Sequence, residues 1–449
     1  MAITPVASIA LVLVTFGSGR QVVQEEEAGN AVRAIRAGEY REACDLLHEQ
    51  LLRAPKDAEL WNLLGIAESE LKDSAAAEKA FAAGLRIAPE SASLNENAGL
   101  LFFREARYAQ AKQALERAVK LGSQKPGVLF SLAAARLRTG EPAEALRELK
   151  ALQPALSGVP EYWEERGRAE LTQDAQLAEA SFDRALELSP KSLVALNGAA
   201  TAAETEALDE KALAYLIRAR AAAPDDVPTL LHFASVCIRR DLGPDAIEAL
   251  ERARRLEPSN MTAVYLLARA NISVQNWQQA YDLFQQFSKH HPEFAPTYYA
   301  MGWLDIRLSH LDDARQQLEH SLRLNPKLSD ARYELAQLEF DDGQIEAAQK
   351  LLETVLRESP HHAKANMTMG DILLRKGDIA EAQKFLETAT RENPKLAAAH
   401  YKLSLLYLRE HETEKSAAEK TLAANLNEEE KQSSKTQLHL VLPEGTTAP

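Results

Sequence analysis

Residues 61–65 read WNLLG, and residues 77–89 read AEKAFAAGLRIAP. Trp61, Leu64 and Gly65 fall three and four residues apart, which sets them on one face of a helix. Ala77, Phe81 and Gly84 do the same in a second helical segment. Pro89 then closes the unit, because a proline lacks the amide donor and clashes with the preceding turn. Two amphipathic helices and a stop signal thus occupy about 34 residues.

The rhythm recurs along the chain. Pro55 and Pro89 are 34 residues apart, and the same step links Pro190, Pro224, Pro258, Pro292, Pro326, Pro360 and Pro394. Stepping on from Pro89 lands on Ser123 and Ser157, so those two units lack the proline; one residue is missing near LTQDAQLAEA, residues 171–180. An alanine stands twelve residues before each closing position, from Ala43 and Ala77 through Ala111 and Ala145 to Ala348 and Ala382. Four residues after it comes a large apolar side chain, such as Leu47, Phe81, Leu115, Phe284 or Leu386. Small residues let two helices approach to about 8–10 Å, and the large ones fill the seam beside them. Gly38, Gly140, Gly343 and Gly377 mark the turn between the two helices, where a left-handed residue ends the first. Fixed periodicity of this kind is the signature of stacked repeats, none of which buries its apolar face alone.

The signature resembles the tetratricopeptide repeat (TPR). Its pattern is nearly complete at Trp61, Leu64, Gly65, Ala77, Phe81 and Pro89. It is partial elsewhere: Gly99, Gly302 and Gly370 keep the small residue, while Ala234, Ala268 and Ala336 replace it. The resemblance implies an all-α fold, an α-solenoid of antiparallel helix pairs wound into a right-handed superhelix. Residues 21–411 are expected to hold about twelve such pairs, with atypical units at the ends. Residues 412–431 read as a polar capping helix and 432–449 as a mobile tail, in which QLHLVL could add a strand to a partner.

Composition narrows the function. Of 449 residues 46% are apolar, enough for a sizeable core. Acidic residues outnumber basic ones, 66 to 52, for a formal charge of −14, which argues against a binder of phosphate backbones. The two cysteines, Cys44 and Cys237, are too few for a disulfide framework and about six repeats apart, so no bond between them is expected. Residues 1–20 carry an apolar run from Val6 to Phe16 with the length of a signal-peptide core, followed by Gly17 and Gly19. No Lys or Arg precedes the run. Export, to the periplasm for instance, is therefore favoured over a cytoplasmic location, with a mis-called start or a peripheral N-terminal helix as the alternatives.

No P-loop, dinucleotide fingerprint, zinc-protease motif or nucleophile elbow is present, so no cofactor and no catalytic residue is assigned. His290-His291 and His361-His362 lie in connectors without the further ligands a metal needs. Asn271 and Asn366 head glycosylation-type triplets, but within helices.

What remains is a groove. In TPR proteins the first helix of each pair lines the concave face, and the residue after the Trp position faces inward. Here that place holds Tyr265, Tyr299, Tyr333 and Tyr401, with Met367 between the last two. Eight residues on, near the end of the same helix, stand Arg104, Arg138, Arg239, Arg307, Arg375 and Arg409. Tyrosines offer stiff amphipathic contact area and arginines clamp carboxylates, which together suit an extended, acidic or C-terminal peptide. Arginine at a helix C-terminus is also favoured by the helix dipole alone. The Lys and Asn of a chaperone-type carboxylate clamp are absent, so that role is not carried over. The expectation is a non-catalytic scaffold for protein or peptide partners, with no nucleic acid and no small-molecule substrate, and with membrane contact only if residues 1–20 are retained. The alternatives are an RNA-reading helical-repeat protein, like the pentatricopeptide repeats, and the regulatory arm of a separate enzyme.

Overall fold

The computed structural model describes residues 22–433, with side chains over 29–429. Twenty-four helices and no strands lie among these residues. The chain divides into two compact units, Met1–Ala222 and Ala223–Pro449. Each contains six consecutive helix pairs. Within each unit the two helices of a pair pack on one another, and the second helix also packs on the first helix of the next pair. That is the nearest-neighbour stacking of a solenoid.

The recurrent alanines and large apolar residues form the seam. Ala77, Ala111, Ala314 and Ala382 are fully buried, as are Leu115, Leu318 and Leu386. Each large side chain fills the space left by the small residue of its partner helix. A Cβ added to Gly65 would stand 2.5 Å from Phe81 Cε1, and one on Gly370 would stand 2.7 Å from Leu386 Cγ. Glycine is used there for close approach.

The turn inside the pairs has one recurring form. In the turn after Ala92–Arg104, the Arg107 amide donates to Phe102 O at 2.9 Å and the Ala106 amide to Phe103 O at 3.0 Å. This six-to-one closure is a Schellman cap, and it needs a residue with positive φ. Gly38, Gly140, Gly343 and Gly377 supply it, as expected. At the equivalent places Lys72, Ala106, Ala207, Asp241, Gln275, Ser309 and His411 adopt φ values of 56–64° without being glycine. The missing residue is visible as well. Pro160–Glu170 has 11 residues against 13 in Ala92–Arg104, and its turn closes by Asp174 N donating to Glu170 O at 2.8 Å instead.

The closing proline is tied back to the following helix. Trp61 Nε1 donates to Pro55 O at 2.9 Å, Asn366 Nδ2 to Pro360 O at 2.9 Å, and Trp163 Nε1 to Ser157 O at 2.8 Å where the proline is lacking. Cys44 and Cys237 are both buried and form no disulfide, and burial pushes the Cys44 thiol up to about 11. Thr413–Ser433 forms the last helix. The apolar run Val6–Phe16 and the QLHLVL tail lie outside the described residues.

Candidate partner-binding face

The four tyrosines are not equivalent. Tyr265 has no exposed surface. Its ring meets Phe284, Phe287 and Phe294 edge-on or tilted, at centroid distances of 5.4, 5.0 and 6.0 Å. Tyr299 and Tyr333 are 5% and 7% exposed, and Tyr401 is 49% exposed. The sequence position that sets these rings in a row thus turns three of them toward packed side chains. Burial raises the phenol pKa of Tyr265, Tyr299 and Tyr333, so all three stay neutral. Met367 is half-buried against the core around Leu374 and Leu403.

Most of the arginine row is engaged within the chain. Arg104 donates to Ser69 O at 2.9 Å, and Arg409 to Leu374 O at 2.9 Å, 35 residues back in both cases. Arg375 lies over the ring of Phe340, again 35 residues back, at 4.4 Å. Each thereby lies over the end of the preceding pair's first helix, where Arg104 and Arg409 add a second donor to carbonyls that the turn amides of Lys72 and Gly377 reach at 3.1 and 3.3 Å. Arg138 makes a bidentate pair with Glu165 at 2.8 and 2.7 Å. Arg307 sits over Trp303, 3.0 Å from the ring centroid, and burial brings its guanidinium down to about 10 despite nearby Glu334. Arg239 approaches Ser235 Oγ at 3.5 Å.

One basic residue on this face was missed by the spacing argument. Arg269 stands four residues after Tyr265 in Met261–Ser273, a helix that packs on Val227–Arg239. It is half-buried, and no carboxylate pairs with it among the described residues. Burial lowers its pKa, and the like charge of Arg239 pushes the same way. The spacing of four from Tyr265 was the available signal.

The histidine pairs and the glycosylation-type asparagines have local uses. His362 Nδ1 accepts from Ala365 N at 3.1 Å as a helix cap, and His291 stacks on Phe287 at 4.4 Å. Asn271 and Asn366 are buried and donate to Leu267 O and Pro360 O. No group of three or more metal-ligating side chains gathers among the described residues.

Stacked helical hairpins, each packed on its neighbours within a unit, define a repeat scaffold. Family models described as tetratricopeptide repeat match residues 102–168, 305–358 and 339–406, and, for a second model of that description, 29–92 and 241–293. The chain belongs to the tetratricopeptide repeat family. Such proteins are typically non-catalytic, and the fold is consistent with protein–protein interaction.

No curated protein matches the chain. Among solved structures, the APC/C hetero-tetramer Cut9–Hcn1 is similar at 14% identity over 90% of this chain and 89% of that chain, with a TM-score of 0.43. YrrB, a TPR protein with an unusual peptide-binding site, matches at 19% identity over 40% and 93%, with a TM-score of 0.36. Naa15/Naa10 bound to HypK-THB matches at 17% over 89% and 68%, with a TM-score of 0.32. These likenesses are too loose to carry an argument, and the family rests on the repeat matches.

Proposed function

We propose that the chain is a non-catalytic scaffold whose second unit takes an extended acidic segment of a partner protein at Arg239 and Arg269. The observation that carries this reading is Arg269, half-buried, without a carboxylate partner and beside a second guanidinium. Arg269 bears a desolvation cost and feels the like charge of the exposed Arg239, and a carboxylate entering beside Arg269 relieves both. Arg104, Arg138 and Arg409 have partners of their own, and in the proposal they serve the stack.

The test uses fluorescence polarisation with a fluorescein-labelled Asp/Glu-rich peptide and a Lys-rich control. Arg269→Ala with Arg239→Ala should weaken the acidic peptide at least ten-fold, since charge-assisted hydrogen bonds are each worth about 1.5–3 kcal/mol. Arg409→Ala should leave binding within about two-fold, whatever it does to stability. Equal affinity of wild type and double variant would overturn the assignment.

A further inference from the structure

The first unit contains a pocket of about 430 Å³ on the side of the second helices. His48 comes from Tyr40–Arg53, Trp61, Leu64 and Glu68 from Ala58–Glu70, and Asp73 and Lys79 from the turn and helix that follow. Glu68 is 9% exposed, and its Oε2 has no hydrogen-bond partner. A buried carboxylate oxygen without a donor is costly, and native proteins seldom leave one so.

The repeats provide their own comparison. Arg136, in register with Glu68 two units later, lies between Glu116 and Glu148, the first at 3.0 Å. In the second unit Glu339 is again in register with Glu68, and Arg315 Nε donates to it at 2.8 Å. In both clefts the polar residue shares a guanidinium–carboxylate contact. In the Glu68 cleft, Cys44 stands where Arg315 would, and Ala80 where Glu148 would. These small side chains leave Glu68 Oε2 without a hydrogen-bond donor beside an open space.

We infer that this pocket binds the guanidinium of an arginine side chain supplied by a partner protein. Glu68 at the floor accepts from the guanidinium, as Glu339 accepts a single bond from Arg315 Nε. Trp61 and Leu64 form apolar walls for the side-chain stem. His48 donates from Nδ1 to Cys44 O at 2.8 Å in its neutral form, which leaves Nε2 as an acceptor. Asp73 at the rim adds a second carboxylate, held by the Ala76 amide at 3.0 Å. Lys79 at the same rim is the opposing charge, and an incoming guanidinium has to displace its head toward solvent. The site lies in the first unit and is independent of the acidic-segment site at Arg239 and Arg269.

The experiment follows the Trp61 indole N–H by NMR on the full chain, assigned with Trp61→Phe. The probes are Nα-acetyl-arginine amide, Nα-acetyl-lysine amide and a blocked Ala-Arg-Ala peptide. Saturable shifts are expected with both arginine probes, and at least ten-fold weaker ones with the lysine probe. Glu68→Gln, nearly isosteric, should weaken arginine binding about ten-fold. Cys44→Arg should abolish it by filling the pocket from within, as Arg315 does. If Cys44→Arg does not fold, Glu68→Gln decides alone. No saturable shift in the wild type, or an unchanged one in Glu68→Gln, overturns the site. Binding of the arginine amide but not of Ala-Arg-Ala overturns a protein partner as its source.

Discussion

Asp305 shows how one buried group sets a pH dependence. Its side chain is enclosed, Oδ2 has no partner, and His310 Nδ1 is 3.6 Å from Oδ1. Burial, with Asp313 nearby, raises its pKa from 3.8 to about 6. The folded state therefore holds this proton more tightly than the unfolded state. Its contribution to stability is greatest below about 4 and is lost as pH rises through 6. At about 1.4 kcal/mol per pKa unit, Asp305→Asn should stabilise the chain by roughly 1–3 kcal/mol at pH 7 and flatten the pH 4–6 part of the profile. Urea titrations across that range would show it; a variant as pH-dependent as the wild type would contradict it. Gly65 offers the opposite sign. The methyl of Gly65→Ala would press on Phe81, and overpacking of this kind costs about 1–3 kcal/mol, readable in the same titrations.

Much of this was legible residue by residue. Alanine and leucine at fixed register located the seam, because shape complementarity between two helices is encoded locally. The tyrosines misled, since the same register that aligns Tyr265, Tyr299 and Tyr333 also buries them, Tyr265 against Phe284 and Phe287. Whether Glu68 or Arg269 finds a partner depends on side chains in neighbouring helices, and no single stretch of sequence shows that.

At the scale of the element, the turns carry an unrelieved cost. Glycine at Gly38 and Gly377 announced the left-handed position, whereas Ala106 and Gln275 hold the same conformation with nothing in their residue type to reveal it. A left-handed L-residue costs about 1–2 kcal/mol, partly offset by the extra unfolded-state freedom of glycine. Ala106→Gly should therefore raise stability by about 0.5–1 kcal/mol, and Gly377→Ala should lower it by about 1 kcal/mol. Thermal unfolding of the two variants checks the pair, and a destabilised Ala106→Gly would contradict this reading of the turn. The arginines that cap the preceding pair act at this scale too: Arg409→Ala removes one of two donors to Leu374 O, leaving the Gly377 amide at 3.3 Å, and should loosen the end of Ala363–Lys376.

For the whole molecule, stability is expected to be a sum over neighbouring pairs. Phe81→Ala should cost about 3–5 kcal/mol, and its effect on amide exchange should be largest in the pairs next to Phe81. The 34-residue step runs unbroken through Pro190, Pro224 and Pro258, so the period gave no sign of the division after Ala222. In the proposal, function at this scale rests on Arg269, with which no carboxylate among the described residues pairs. The most direct measurement is hydrogen–deuterium exchange of the full chain with and without the acidic peptide. The account predicts added protection centred on Val227–Arg239 and Met261–Ser273, lost in the Arg239→Ala, Arg269→Ala variant. Protection elsewhere, or protection that survives the double substitution, would contradict it.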